Sequence, residues 1–237
     1  LNEGQEEIVD GATGINVYRP GHAYSTFKLV RWAGVDPATG EAQFYNKDGE
    51  ITKNYLASDA VVLEGKSINP DYYGGFGMNM SYKGFDLSSQ ANYTIGGYTY
   101  NGIMAGLVSW GPSRAQALST KAMDYWRNPG DVTFLPKASA TNATRTTDQY
   151  LQDASFLRLR NVTLGYNVPK SLTNKIQVQN LRVYVQGQNL WTYIPNYFGD
   201  PEVGIGSTES GLMTPGQFAL YSYPTTRQFT FGLDLSF

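Results

Sequence analysis

From Phe85 to Ile95 the side chains alternate without a break. Phe85, Leu87, Ser89, Ala91, Tyr93 and Ile95 fall on one side, and Asp86, Ser88, Gln90, Asn92 and Thr94 on the other. A helix repeats its faces every 3.6 residues, so eleven residues of period two predict an extended strand with one apolar and one polar face. The C-terminus repeats the pattern, with Phe229, Phe231, Leu233, Leu235 and Phe237 against Gln228, Thr230, Gly232, Asp234 and Ser236. Phe76, Met78, Met80 and Tyr82 alternate in the same way, and Lys83-Gly84 is expected to close a tight hairpin onto Phe85.

Two segments keep the rhythm with a slip. Between Phe156 and Val168 the apolar set moves from Leu157 and Leu159 to Val162, Leu164, Tyr166 and Val168, which predicts a bulge near Arg160-Asn161. Between Leu181 and Tyr193 the set Leu181, Val183, Val185 loses parity after Gly187. Tyr24 to Val35 is read as a sixth strand of undefined parity. A helix is expected within the longest connection, opened by Pro112 and carrying Ala115, Leu118, Ala122 and Tyr125 on one face.

Composition supports an all-β chain. The 26 Gly, 18 Tyr, 11 Phe and 4 Trp among only 16% charged residues suit aromatic-rich sheets joined by glycine turns. A net charge of −2 with no basic cluster argues against nucleic acid. There is no Cys, so no disulfide framework or thiolate chemistry is possible, and the lone His22 sits in a Pro-Gly-His-Ala turn, read as structural. No G-x-S-x-G element occurs, and Asp10, Asp36, Asp48, Asp71 and Asp200 mostly adjoin Gly or Pro, as turn residues do. Neither a catalytic set, a metal site nor a cofactor is expected. The chain starts at Leu1 without an initiator Met or signal-like region, and the expectation is a processed chain or a piece of a longer one.

Connections decide between classes of all-β protein. Short turns join Tyr82 to Phe85 and Val168 to Leu181, whereas 36–71, 96–154 and 194–223 are far longer than ordinary loops. In an antiparallel meander, alternate connections lie at opposite ends, so long loops share one rim and short turns the other, as in outer-membrane barrels. Strands of about 11 to 13 residues, tilted by about 40°, rise on the order of 30 Å, enough to cross an apolar band of about 25 Å. A mean hydropathy of −0.36 is compatible with this, because membrane strands are only half apolar. Tyr72, Tyr73, Tyr93, Tyr98, Trp191 and Tyr193 at one rim, and Tyr82, Phe85, Tyr166 and Phe237 at the other, are read as interface girdles. The residues alone leave open a soluble all-β carbohydrate- or protein-binding module, or a hydrolase using loop carboxylates.

Longer motifs carry a resemblance. DASFLRLRNVTLGYNVPK (153–170), LRVYVQGQNLW (181–191), Asp200-Pro201-Glu202 and the closing YPTTRQFTFGLDLSF resemble the end of SusC/RagA-type TonB-dependent transporters. AGVDPATG (33–40), YYGGF (72–76) and YWRNPGDVTFLP (125–136) look like the same family in the same order. The resemblance implies that residues 1–237 are the C-terminal part of a 22-stranded antiparallel transmembrane barrel, contributing about six strands. The plug and earlier strands would be supplied elsewhere. It further implies TonB coupling through the plug side, a SusD-like surface lipoprotein as lid, outer-membrane lipid around the wall, and uptake of oligosaccharides or peptides.

Two sets of residues are candidates within that frame. Trp110, Tyr125, Trp126, Tyr197 and Phe198 ride on the long connections and could stack on substrate or pack on the lid. Thr230, Gly232, Leu235 and Phe237 fit the polar-x-Gly-x-x-apolar-x-aromatic ending read by the barrel-assembly machinery.

Overall fold

The computed structural model describes residues 6–10, 14–108, 118–138, 145–202 and 224–237. In chain order the strands are β1 (Ile8–Val9), β2 (Asn16–Tyr18), β3 (Thr26–Leu29), β4 (Trp32–Val35), β5 (Ala42–Tyr45), β6 (Ile51–Thr52) and β7 (Val61–Ser67). They continue as β8 (Pro70–Tyr82), β9 (Phe85–Gly96), β10 (Tyr98–Tyr100), β11 (Leu151–Asp153), β12 (Phe156–Asn167), β13 (Asn180–Tyr193) and β14 (Gln228–Ser236). Two short helices, α1 (Gly102–Leu107) and α2 (Lys170–Thr173), interrupt them. The chain divides into two compact units, one holding β8, β9, β12 to β14 and α2, the other holding the remaining strands and α1.

The five long strands form one antiparallel sheet in the order β8-β9-β12-β13-β14. Side chains in register share a face, so the pairing can be read as rows across the sheet. One row is Met80, Leu87, Leu164, Val185 and Phe231, and its neighbour is Tyr82, Phe85, Tyr166, Val183 and Leu233. The opposite face carries Asn79, Ser88, Thr163, Gln186 and Thr230, then Gly77, Gln90, Asn161, Gln188 and Gln228. The apolar face has no covering layer within this unit: Phe76, Met80, Phe229, Phe231 and Leu233 are all more than half exposed. A surface of that kind is what lipid, not water, solvates.

Both expected irregularities are present. Lys83 and Gly84 take φ of 47° and 89°, the left-handed pair that a two-residue hairpin turn requires, and Tyr82 pairs with Phe85. On β12 the register shifts between Leu159 and Asn161 against both neighbours, leaving Arg160 as the extra residue. The parity loss after Gly187 is the other side of this bulge: Gln188 pairs with Asn161 and Trp191 with Leu159, with Asn189 at φ 52° between them.

Among the described residues the long sheet has five strands, where six were expected. The sixth expected strand, Tyr24 to Val35, is instead β3 and β4, in two separate small sheets of the other unit. Its parity was undefined because Thr26, Phe27, Leu29 and Val30 are buried on both sides, which removes alternation. The described parts of the 36–71 and 96–154 connections likewise fold rather than loop. Their unit combines the sheets β1-β2-β3-β7, β4-β5-β6 and β10-β11 around a core of Phe27, Leu29, Tyr100, Met104, Val108, Leu135 and Tyr150. Asn101 caps α1, its side chain accepting from the Met104 N–H at 2.9 Å.

The expected helix after Pro112 falls largely outside the described residues; the described part of it is a single 3₁₀ turn, Thr120–Met123. No described helix is long and apolar enough to cross a membrane, which has no bearing on crossing by strands.

Candidate functional site

The charged side chains of the long sheet gather on its polar face. Arg158 stands in register with Asn92 on β9 and Thr192 on β13, and its side chain is 2% exposed. Its guanidinium donates from Nη2 to Asp200 Oδ1 at 2.6 Å and from Nη1 to the Thr225 hydroxyl. Asp200 Oδ2 accepts from the Thr225 amide at 3.0 Å and from its hydroxyl at 2.7 Å. Hydrogen bonds of this kind offset desolvation that an unpaired charge could not. Asp200, expected to serve only its turn, is therefore the carboxylate of an internal ion pair.

A second cluster lies toward the hairpin end. Arg182 contacts Asp86 Oδ2 at 2.5 Å and Asp234 Oδ2 at 3.0 Å, linking β13 to its neighbour β14 and to β9, two strands away. The reach to β9 passes over Gly165 of β12, where an added Cβ would meet the Asp86 carboxylate and the Arg182 guanidinium. The bulge serves this face as well, because it turns both Arg160 and Asn161 onto it: Arg160 Nε donates to Asn92 Oδ1 at 2.9 Å and Asn161 accepts from Gln186 at 2.9 Å. Between the charged clusters the face is lined by amides and hydroxyls, with a shallow open recess at Gly75, Gly77, Asn79, Ser88 and Gln90.

On the apolar face, aromatics hold the two ends of the strands. Trp191 and Tyr193 stack at 6.3 Å at one end, and Phe85 and Tyr166 meet at 4.6 Å at the other. Tyr72 and Tyr93 share that face, but two residues assigned to the girdle do not. Tyr73 pairs with Thr94 and so stands on the polar face. Tyr98 belongs to β10 of the other unit, where the Lys66 ammonium lies 3.8 Å from its ring centre.

The aromatic candidates of the long connections divide between the units. Tyr125 packs against the core of the smaller-sheet unit and under the Arg127 guanidinium, 4.6 Å from its ring centre. Trp126 lies over Gly40, whose φ of 71° and lack of a side chain admit the indole, and its Nε1 donates to the Pro37 carbonyl at 2.9 Å. This joins the AGVDPATG and YWRNPGDVTFLP motifs in space. The Thr39 hydroxyl and the Lys53 ammonium hold the Asp36 carboxyl in that turn well below the usual carboxylate range. Tyr197 is buried within the long-sheet unit and Phe198 stays 37% exposed, while Trp110 lies outside the described residues.

In the C-terminal strand, Thr230 and Gly232 take the polar face and Leu235 the apolar one, with Phe237 just beyond β14 and 83% exposed. Gly232 sits beneath the Tyr184 ring. His22 lies 3.3 Å from the Glu64 carboxylate, in the other unit. Sequence reading missed Arg158 and Arg182; the available signal was an arginine at polar parity inside a strand, beside a face otherwise of amides.

No protein-family model matches the chain. Over its whole length it is 29% identical to TonB-dependent receptor P3 of Formosa agariphila, of which it covers 25%, and over 85% of its length 29% identical to TonB-dependent receptor P26 of the same organism, of which it covers 20%. The chain thus spans about a quarter of the length of the curated relatives it matches. Among solved structures, the whole chain superposes on a quarter of a chain of the RagAB peptide transporter, with a TM-score of 0.83 at 28% identity. The RagAB peptide importer in its open-open state gives 0.84 at 27%. By their names these relatives are TonB-dependent receptors and a peptide transporter.

Proposed function

We propose that this chain, a relative over its whole length of TonB-dependent receptors of the RagA and SusC kind, supplies the C-terminal wall of an outer-membrane nutrient importer. One observation carries the reading: five long antiparallel strands are predominantly apolar on one face and predominantly polar on the other, with the apolar face uncovered within its unit. A lipid-facing wall around an aqueous passage needs that division, and a sandwich sheet would have its apolar face covered by a second sheet.

In this reading the remaining strands close the barrel, a plug fills it, TonB pulls on the plug, and a SusD-like lipoprotein covers the mouth. The cargo is a peptide or an oligosaccharide; the likeness to a peptide importer supports the first. Trp110, Tyr125, Trp126, Tyr197 and Phe198 are proposed to contact cargo or lid. Phe198 and Trp126 differ in kind, the first exposed and the second committed to Gly40. Thr230, Gly232, Leu235 and Phe237 are proposed as the assembly signal.

The test is to tag the full-length protein in its own organism and isolate it from the outer membrane. A SusD-like lipoprotein should copurify, and deletion of the locus should abolish growth on one peptide or glycan source. Recovery from the soluble fraction without detergent would overturn the proposal.

A further inference from the structure

The polar face of the long sheet carries a tie that the importer reading leaves unused. Arg158 lies on the third residue of β12, at the end of the sheet from which the β13–β14 connection departs. Asp200 belongs to the outgoing foot of that connection, after Tyr193, and Thr225 to the returning foot, before Gln228. The two are 25 residues apart in sequence, yet one guanidinium holds both. The three residues form a closed ring: Arg158 donates to the Asp200 carboxylate and to the Thr225 hydroxyl, and Thr225 donates twice to the same carboxylate. Pro201 follows fully buried, and Tyr197 before it is buried too.

The direction of the tie matters more than its strength. Register puts Arg158 on the face of Asn92 and Thr192, opposite the face of Trp191 and Tyr193. A connection that merely joined two strand ends would have no reason to return to that face. Neutralising a buried arginine with a carboxylate from one foot, and saturating the carboxylate from the other, fixes both feet inward.

We infer that Arg158 is a positioning residue: it roots both feet of the β13–β14 connection on the polar face, so that the connection begins and ends over the passage. The passage itself rests on the importer reading; the rooting does not. The pair's burial makes this a geometric device, since a hydrophobic replacement could serve stability as well.

The experiment uses the full-length protein, wild type and three variants, Asp200→Asn, Thr225→Val and Arg158→Lys. Deuterium exchange of peptides covering Tyr197–Glu202 and 224–227 reads the feet, peptides covering Val183–Gln188 read the wall, and heat-modifiable migration reads the barrel. Asp200→Asn is expected to speed exchange at both feet at least about tenfold, the change that losing about 1.4 kcal/mol of local stability produces. The wall and the barrel should be unchanged. Thr225→Val should loosen the returning foot, and Arg158→Lys, which keeps the charge but lacks the fork, should fall between. In cells, the half-saturating nutrient concentration should rise while the maximal rate and the amount of protein hold.

Wild-type exchange at both feet in Asp200→Asn would overturn the inference. So would loss of the barrel in both Asp200→Asn and Thr225→Val, which would make the ring a folding element. Faster exchange at the feet with no nutrient imported even by the wild type would leave the rooting standing and bring down the importer reading instead.

Discussion

Gly232 shows how one residue can carry two meanings. The sequence marks it as part of a terminal recognition pattern; in the fold, the Tyr184 ring of the adjacent strand occupies the space where a side chain would stand. Arg182 adds to the arrangement, its guanidinium 5.0 Å from the same ring centre. Gly232→Ala must therefore displace an aromatic ring pinned by a cation. It is expected to cost about 1–3 kcal/mol, as overpacking does, and to lower the melting temperature of the full-length protein. Gly106, inside α1 with ordinary φ and nothing within 4 Å, makes the contrast. Gly106→Ala should be neutral or stabilising by up to about 1 kcal/mol. An unchanged melting temperature for Gly232→Ala would return the glycine to recognition alone.

At the scale of elements, what could be read from sequence follows from how each strand is solvated. β9 and β14 have one apolar and one polar face for their whole length, so their alternation was plain, and on β12 the Arg160 bulge showed as a parity slip. The short strands β1 to β6 run only two to four residues, too few for a period to emerge, and β3 is buried on both sides. Tyr73 was misassigned because it was placed by its position at the rim and not by parity: it is odd-numbered where Phe76, Met78 and Met80 are even, and the register shift lies beyond it, between Pro70 and Tyr72. Arg158, Asp200 and Thr225 were visible as motif letters, but their meeting depends on a long-range closure that no local pattern encodes. The two faces make a sharp prediction. Leu164, 45% exposed on the apolar face, and Thr163 beside it on the polar face differ by one position. Leu164→Arg should cost up to about 2–4 kcal/mol in a lipid bilayer and Thr163→Arg far less. Equal yields of folded full-length protein from lipid refolding would contradict the orientation.

For the whole molecule, the decisive quantity is unpaired backbone. The long sheet ends in β8 on one side and β14 on the other, with no described strand beyond either. Closure into a barrel removes such edges, and in hydrocarbon each unpaired N–H or C=O costs several kcal/mol. Five strands are also too few to enclose the lumen of a wide transporter, because diameter grows with strand number. The chain by itself must then satisfy two surfaces that water does not suit, an apolar face with Phe231 81% exposed and a pair of long edges. Expressed alone, it is expected to aggregate or to require detergent, and to show no heat-modifiable migration. On the importer reading, expressed together with the remaining strands as a second polypeptide, it should pair through β8 and β14 and recover that migration, since the hydrogen bonds lost at the edges are regained there. Size-exclusion chromatography of the isolated chain in plain buffer decides the first half: a monodisperse monomer would mean that the apolar face and the edges are covered by means other than lipid and barrel closure. Co-expression decides the second, and failure to reassemble from an otherwise intact pair would show that the wall forms only as one continuous chain.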